Sequence, residues 1–511
     1  MMLKMVGGWR CAFIICVCAW YGNTARILIV VPTPSISHQV VFQPIAQELA
    51  KRHRVVILTT DPAFPDQAPP NLTEIDLHDI SYAPWIDRFL KTASENRNDL
   101  YTQIDTAFDL MLEIFPKQIK SEAVKKVFEK EKQFDLVIAE AWTRPARALS
   151  HVFKAPVILM STFGGTAEQY HLMGVPVNPI LYPDVLRTRL FNLTLWEKVT
   201  ELYNRYKINR LIMAYEEKED EMLRDLFGKD TPPLQELNKN VELLMVNIDP
   251  VFEGHRPLPP NVIHLGGLHC APSKDLPQDL KSWMDSSKHG VIYVSFGTNS
   301  DPSLLPPERM AIFIRVFEKL PYDVLWKWKE PPAGLSANVR TSAWLPQSDL
   351  LRHKKLVLFI TQGGLQSTDE ALRAGVPLLA FPMRTDQWFN AEQYKRLGVG
   401  RRLEFASFTD DQLRENIEEL IKDKGYRTRS KLLGDEMQDR SESSLERAVW
   451  WIERTLRQRT RRRAPEVLVS WHTFIDGDIV AAALVLIIGV LLALYGIYKV
   501  LTRRSMKVKT T

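Results

Sequence analysis

Residues 361–370 read Thr-Gln-Gly-Gly-Leu-Gln-Ser-Thr-Asp-Glu, directly after an apolar run over 356–360. That run is rich in branched residues, as a strand buried on both faces of a parallel sheet requires. Gly363 and Gly364 carry no side chain, so a ligand can lie against their backbone. Residues 365–373 have helical character, stop at Gly375 and are followed by Pro377. A helix that starts just past such a turn points unpaired N–H groups and a partial positive charge at whatever sits above the strand. That is the chemistry of a phosphate site that needs no lysine. Gly-Gly alone reads better as the packing turn of an ordinary α/β unit; the case rests on the whole stretch.

His38 is the second candidate. It stands in Thr33-Pro-Ser-Ile-Ser-His38, between a predicted strand over 25–33 and a predicted helix over 38–52. Ligands of open α/β sheets bind at such strand ends. A helix N-terminus disfavours the imidazolium, which keeps the ring neutral and able to accept a proton. Taken alone, a surface histidine that starts a helix is the better reading. Glu140 closes another predicted strand of the same sheet, 135–140. No metal is expected. The one Asp-x-Asp, Asp476-Gly-Asp478, abuts a long apolar stretch, and the histidines show no close-set ligand spacing.

Two frameworks must hold these residues. Strand 25–33, helix 38–52 with Val41, Ile45 and Leu49 on one face, and strand 55–59 form a βαβ unit, the start of a doubly wound sheet. Strands over 135–140, 156–161, 241–248 and 262–265 follow, and the Pro-rich passage 271–277 reads as a linker. A second series has strands over 290–296, 324–328, 356–360 and 378–381, a helix over 306–320, and a segment 339–345 leading into Trp344-Leu-Pro-Gln347. The fold class is α/β, two Rossmann-like domains facing across a cleft. A helix over 441–459 places Leu445, Val449 and Ile452 on one face. Residues 163–240 are helical and irregular, and say nothing of what they bind.

Composition sets the bounds. A chain of 511 residues is too long for one core. The 45% hydrophobic and 25% charged fractions are ordinary, and a net charge of +5 gives no case for a nucleic-acid partner. Lys4 and Arg10 precede an apolar run over 11–20, in the order of a secretory signal peptide, with cleavage after Ala19 or Ala25. Cys11, Cys16 and Cys18 lie in that segment. Cys270 would remain alone, without an internal disulfide. Residues 479–498 are apolar over roughly the 20 residues that span a bilayer. Lys499, Arg503, Arg504, Lys507 and Lys509 follow, so the tail is expected in the cytosol and the body in the lumen, with Arg461, Arg462 and Arg463 opposing. Lys507 and Lys509 look like a dilysine retrieval signal, or equally a basic stop-transfer tail. Asn71 and Asn192 head glycosylation sequons, and Trp471 and Phe474 suit a membrane interface.

Residues 359–387 as a whole are similar to the signature of the UDP-glycosyltransferases, in Thr361-Gln-Gly-Gly364, Glu370, Pro377, Pro382 and Asp386-Gln387. Many members carry His where this chain has Gln362. Gly-Leu-Gln-Ser-Thr-Asp-Glu looks most like the arthropod and baculovirus branches. The resemblance spans nearly the whole mature chain and is strongest over 262–402. It implies the GT-B architecture and an inverting transfer of sugar from a UDP-sugar, without a covalent intermediate. By the same resemblance His38 is the base, and Glu140, where the family usually has Asp, is the acid that orients it. Trp344 would stack on uracil and Gln347 would bond its edge or the ribose. Thr298, Gln362, Gly363, Gly364, Gln366 and Ser367 would hold the diphosphate. Glu370 would take the ribose hydroxyls, and Asp386 and Gln387 the sugar hydroxyls. Plainer roles compete: core packing for Trp344, a solvated helix acid for Glu370, an N-cap pair for Asp386 and Gln387, a strand-end carboxylate for Glu140.

The implied plan is a signal peptide over 1–25, an acceptor domain over 26–270, a UDP-sugar domain over 271–440, a return helix and membrane-proximal segment over 441–478, a transmembrane helix over 479–498 and a basic tail over 499–511. The donor implied is UDP-glucose, with UDP-glucuronic acid as the alternative, and the acceptor is a small lipophilic molecule with a hydroxyl. The place implied is the endoplasmic reticulum membrane, single-pass with a lumenal body; a homo-oligomer is left open. A non-catalytic UDP-sugar-binding membrane protein and a membrane-anchored scaffold are the rival classes.

Overall fold

The computed structural model describes residues 24–92, 99–298, 302–458 and 477–508. Two all-parallel sheets dominate residues up to 458. The first holds β1 (Arg26–Val30), β2 (Arg54–Thr59), β3 (Leu72–Asp76), β4 (Leu136–Glu140), β5 (Val157–Ser161), β6 (Val241–Val246) and β7 (Val262–His264), in the order β3-β2-β1-β4-β5-β6-β7. The second holds β8 (Val291–Ser295), β9 (Asp323–Lys327), β10 (Val339–Ser342), β11 (Leu356–Thr361), β12 (Leu378–Ala380) and β13 (Gly400–Arg402), in the order β10-β9-β8-β11-β12-β13. Central strands such as Leu-Val-Ile-Ala-Glu in β4 and Val-Ile-Tyr-Val-Ser in β8 are buried throughout, because helices cover both faces. The edge strands β3 and β13 were not expected. Leu-Thr-Glu-Ile-Asp and Gly-Arg-Arg lack a buried strand's apolar run, since only one flank is paired.

Helix α1 (Ile36–Ala50) begins two residues ahead of its predicted start, which puts His38 in its first turn. Its face of Val41, Phe42, Ile45 and Leu49 is fully buried. The remaining helices used below are α2 (Leu100–Ile119), α3 (Leu195–Phe227), α4 (Leu365–Arg373), α5 (Gln387–Leu397), α6 (Ser444–Gln458) and α7 (Gly477–Val508). Helix α6 packs back on the first sheet. Ala448, Val449 and Ile452 share one core with Val41, Ile45 and Leu49, and Arg52 pairs with Glu453 at 2.7 Å. Leu445, expected on that face, packs at its margin.

Helix α7 stands as a separate unit. Its segment Ala481–Lys499 has a mean hydropathy of 2.5 and is the one helix among the described residues long and apolar enough to cross a membrane. The signal-peptide run, Arg461–Arg463, Trp471 and Phe474 lie outside the described residues. Asn71 and Asn192, the sequon asparagines, are exposed and sit at left-handed turns with φ of 64° and 55°.

Candidate functional site

In each sheet the strand order reverses at one point, between β1 and β4 in the first and between β8 and β11 in the second. Loops leaving the carboxyl ends of such a pair diverge and open a crevice. The two crevices share one cavity of about 410 Å³.

The wall from the first sheet carries His38 and Glu140. His38 Nδ1 is hydrogen-bonded to Glu140 Oε1. Glu140 is 1% exposed, and its Oε2 accepts from Thr33 Oγ1 at 2.5 Å and from Thr143 Oγ1 at 3.5 Å. The carboxylate therefore sits behind the ring, not on the cavity. His38 lines the cavity, and with Nδ1 engaged its Nε2 is the nitrogen left for a ligand. Phe163 meets the imidazole edge-on, with centroids 6.0 Å apart at 78°. A ring held by a buried carboxylate on one nitrogen is set up to accept a proton on the other.

Much of the rest of that wall is apolar, beside Thr33, Ser35, Ser37 and Gln103, and the sequence did not announce it. Trp85 and Phe89, four apart and stacked at 4.3 Å, join Ile104, Ala107, Trp142 and Phe163 along the cavity. They come from four separate segments, each unremarkable alone. The one local cue is the aromatic pair at helical spacing in Trp85-Ile-Asp-Arg-Phe89.

The wall from the second sheet is polar. Gly364 is the N-cap of α4 and offers no side chain to its first turn, so the N–H groups there keep their donors for a ligand. Gly363 lies behind the surface at φ 90°: its N–H bonds Thr361 Oγ1 at 3.2 Å and its carbonyl accepts from Asn390 Nδ2 at 2.9 Å. Gln362 reaches the cavity and packs on Gly297, where φ is 85° and any Cβ would overlap its amide. Thr298 and Ser367 also line the cavity.

Gln347, Ser367 and Glu370 form one network. Gln347 Nε2 donates to Glu370 Oε2 at 2.6 Å and to Ser367 Oγ at 2.9 Å, while its Oε1 accepts from Tyr293 at 3.1 Å. Glu370 is thus tied to neighbours, not merely solvated. Trp344 is 64% exposed, which removes core packing as its role; the Lys327 ammonium lies 4.6 Å from its ring centre.

Asp386 heads α5 without a capping bond. Its carboxylate accepts from Asn390 Nδ2 at 2.8 Å and Thr385 Oγ1 at 3.2 Å. Burial raises its pKa, opposed by those hydrogen bonds and by His38 across the cleft. Gln387 Oε1 accepts from the N–H groups of Met383 at 2.8 Å and Arg384 at 2.9 Å, so it shapes the loop as well as facing the cavity. That loop holds Thr385 at φ 38°, a left-handed strain of the kind found at ligand sites. Arg384 and Thr385 line the cavity and were not foreseen.

Gln366 lines the cavity as well, but also reaches across it. Its amide donates to the carbonyls of Ser37 at 3.2 Å and Thr162 at 3.0 Å, both on the opposite wall.

Residues 27–511 match the family model described as "UDP-glucoronosyl and UDP-glucosyl transferase". An ecdysteroid UDP-glucosyltransferase of Lymantria dispar multicapsid nuclear polyhedrosis virus is 34% identical, over 87% of this chain and 90% of its own length. The like-named protein of Spodoptera littoralis nuclear polyhedrosis virus is 31% identical over 88% and 92%. The UDP-glycosyltransferase UGT5 of Dactylopius coccus is 29% identical over 92% and 91%. Among solved structures, the spinosyn forosaminyltransferase SpnP superposes with a TM-score of 0.57 at 17% identity, covering 85% of this chain and 99% of that one. The calicheamicin glycosyltransferase CalG4 gives 0.55 at 19%, covering 86% and 100%.

Proposed function

This chain belongs to the UDP-glucuronosyl and UDP-glucosyl transferase family, and from that premise we propose that it transfers glucose from UDP-glucose to a hydroxyl of a small lipophilic acceptor, with inversion. It is a UDP-glycosyltransferase of GT-B fold, so a UDP-sugar and an acceptor are its substrates. The observation that carries the finer reading is the His38–Glu140 pair, set at one switch point and facing the Gly-Gly turn of the other across a single cavity.

In this reading the acceptor lies among Trp85, Phe89, Ile104 and Trp142, and hands its hydroxyl proton to His38 Nε2. Glu140 fixes the ring and stabilises the imidazolium as it forms. The acceptor oxygen attacks the anomeric carbon on the face opposite UDP, and UDP departs as the new bond forms. The diphosphate rests on the first turn of α4, Gln362 and Thr298, without a metal. Uracil stacks on Trp344, ribose meets Gln347 and Glu370, and Asp386 and Gln387 take the sugar hydroxyls. Several relatives bear the name of ecdysteroid UDP-glucosyltransferases, which supports glucose as the sugar and a hydroxylated steroid among the acceptors. Conjugation of steroids, pigments or toxins at the endoplasmic reticulum, with α7 as the anchor and the body in the lumen, completes the proposal.

The test uses detergent-solubilised full chain, wild type and His38→Ala, with UDP-glucose, UDP-glucuronic acid and a panel of steroids and phenols, read by mass spectrometry. Hexose conjugates from wild type alone are expected. Uronate conjugates would shift the donor to glucuronic acid. Conjugates made equally by the variant would remove His38 as the base.

A further inference from the structure

Helix α4 begins the phosphate cradle, and Gln366 is in its first turn. A donor there would be expected to face the diphosphate. Instead Gln366 Nε2 stands 3.2 Å from Ser37 O and 3.0 Å from Thr162 O, so both amide protons are directed at main-chain carbonyls of the first sheet's loops. The main-chain carbonyl of Gln366 is bonded to His269 Nε2 at 3.0 Å, which steadies this turn from the segment after β7.

The two acceptors are not arbitrary places on that wall. Ser37 immediately precedes His38, and Thr162 immediately precedes Phe163, the ring set edge-on to His38. One side chain thus ties the turn that holds the diphosphate to both neighbours of the base. A second glutamine works in the reverse direction. Gln103 of α2, 1% exposed, donates from the first wall to Met383 O at 3.3 Å and accepts from Thr385 N at 3.4 Å. These lie in the loop that carries Asp386.

We infer that Gln366 is a cross-cleft positioning residue, a latch that sets the distance between His38 and the reacting sugar, and not a ligand of the diphosphate. The inference rests on the donor-site reading above. The physical reason is reach. A displacement between two groups carried by different sheets depends on the alignment of those sheets, and a misplacement of about 1 Å can lower rate a hundredfold. Asparagine, one methylene shorter, keeps an amide in the first turn but cannot span to both carbonyls. Glutamate keeps the length but turns a carboxylate on two carbonyl oxygens.

The experiment measures kcat, acceptor KM and UDP affinity by calorimetry for solubilised wild type, Gln366→Asn and Gln366→Glu, with melting temperatures alongside. The latch predicts kcat lowered roughly 30-fold in Gln366→Asn and more in Gln366→Glu, with UDP affinity within about threefold of wild type in Gln366→Asn. A diphosphate ligand predicts the opposite split: Gln366→Asn close to wild type in kcat, and UDP affinity down at least about tenfold in Gln366→Glu. That result would overturn the latch. A Gln103→Ala variant that also lowers kcat and leaves UDP affinity in place would support it. Wild type that fails to bind UDP at all would overturn the donor-site reading itself, a failure distinct from the latch's.

Discussion

The two walls of the cleft are built alike and furnished differently. Both sheets run 3-2-1-4-5-6 in their own strand numbering, the first adding a seventh strand at its edge, and both expose the loops after their first and fourth strands. At the first wall that position holds an imidazole backed by a buried carboxylate and surrounded by Trp85, Phe89, Trp142 and Phe163. At the second it holds a Gly-Gly turn, a helix N-terminus and a net of Gln347, Ser367 and Glu370. One topology thus supplies a largely aromatic and aliphatic wall and a polar wall, to which the proposed function assigns proton transfer and the nucleotide respectively. The chemistry is decided by the loops, not by the sheet.

If that division is real, variants on the two walls should fail in different ways. The largest effect belongs to His38→Ala, which should lower kcat by roughly a thousandfold, within the range of general-base catalysis, and leave UDP binding alone. Steady-state rates beside UDP calorimetry check both halves. Next is Glu140→Gln, which keeps the shape but removes the charge behind the ring; kcat should drop about a hundredfold, with acceptor KM little changed. Unchanged kcat would reduce Glu140 to a packing residue. On the other wall, Trp344→Ala should weaken UDP about tenfold, the order of one base–aromatic stack, and barely move the melting temperature, since the ring is 64% exposed.

How much of this could be read beforehand follows the same division. Much of the second wall, from β11 through α4 to Gln387, is contiguous in the chain, so turn, helix start and acids appear in one line of text, while Thr298, Trp344 and Gln347 come from loops earlier in the chain. The first wall is assembled from α1, the Trp85–Leu90 turn, α2 and the β4 and β5 loops. Only His38 and Glu140 stood at recognisable strand ends there; Trp85, Phe89 and Ile104 are apolar residues in helical text, indistinguishable from core until the sheets fold together. Gln366 was legible as a residue of the phosphate turn but not as a bridge, because its acceptors lie far away in sequence at Ser37 and Thr162. The edge strands β3 and β13 escaped for want of an apolar run.

The smallest effect concerns pH and the floor of the second wall. Burial is the main cause that lifts the Asp369 pKa to about 6, with Asp249 adding to it and His269 and Arg373 opposing. Its Oδ2 accepts from Gly267 N at 2.9 Å. An acid whose folded pKa exceeds its unfolded value binds more protons when folded. Its contribution to stability is therefore greatest below the unfolded pKa, near 3.8, declines as pH rises to about 6, and is constant above that. Asp369→Asn should remove this decline, so the variant's melting temperature should gain on wild type between those values. Parallel melting curves for the two proteins would contradict it.

The most direct test of the divided cleft is calorimetric titration of UDP into His38→Ala and Trp344→Ala, each against wild type. The account predicts that His38→Ala, inactive in transfer, binds UDP with wild-type affinity, while Trp344→Ala binds it about tenfold more weakly. Loss of UDP binding in His38→Ala, or wild-type binding in Trp344→Ala, would show that the two walls do not divide the work in this way.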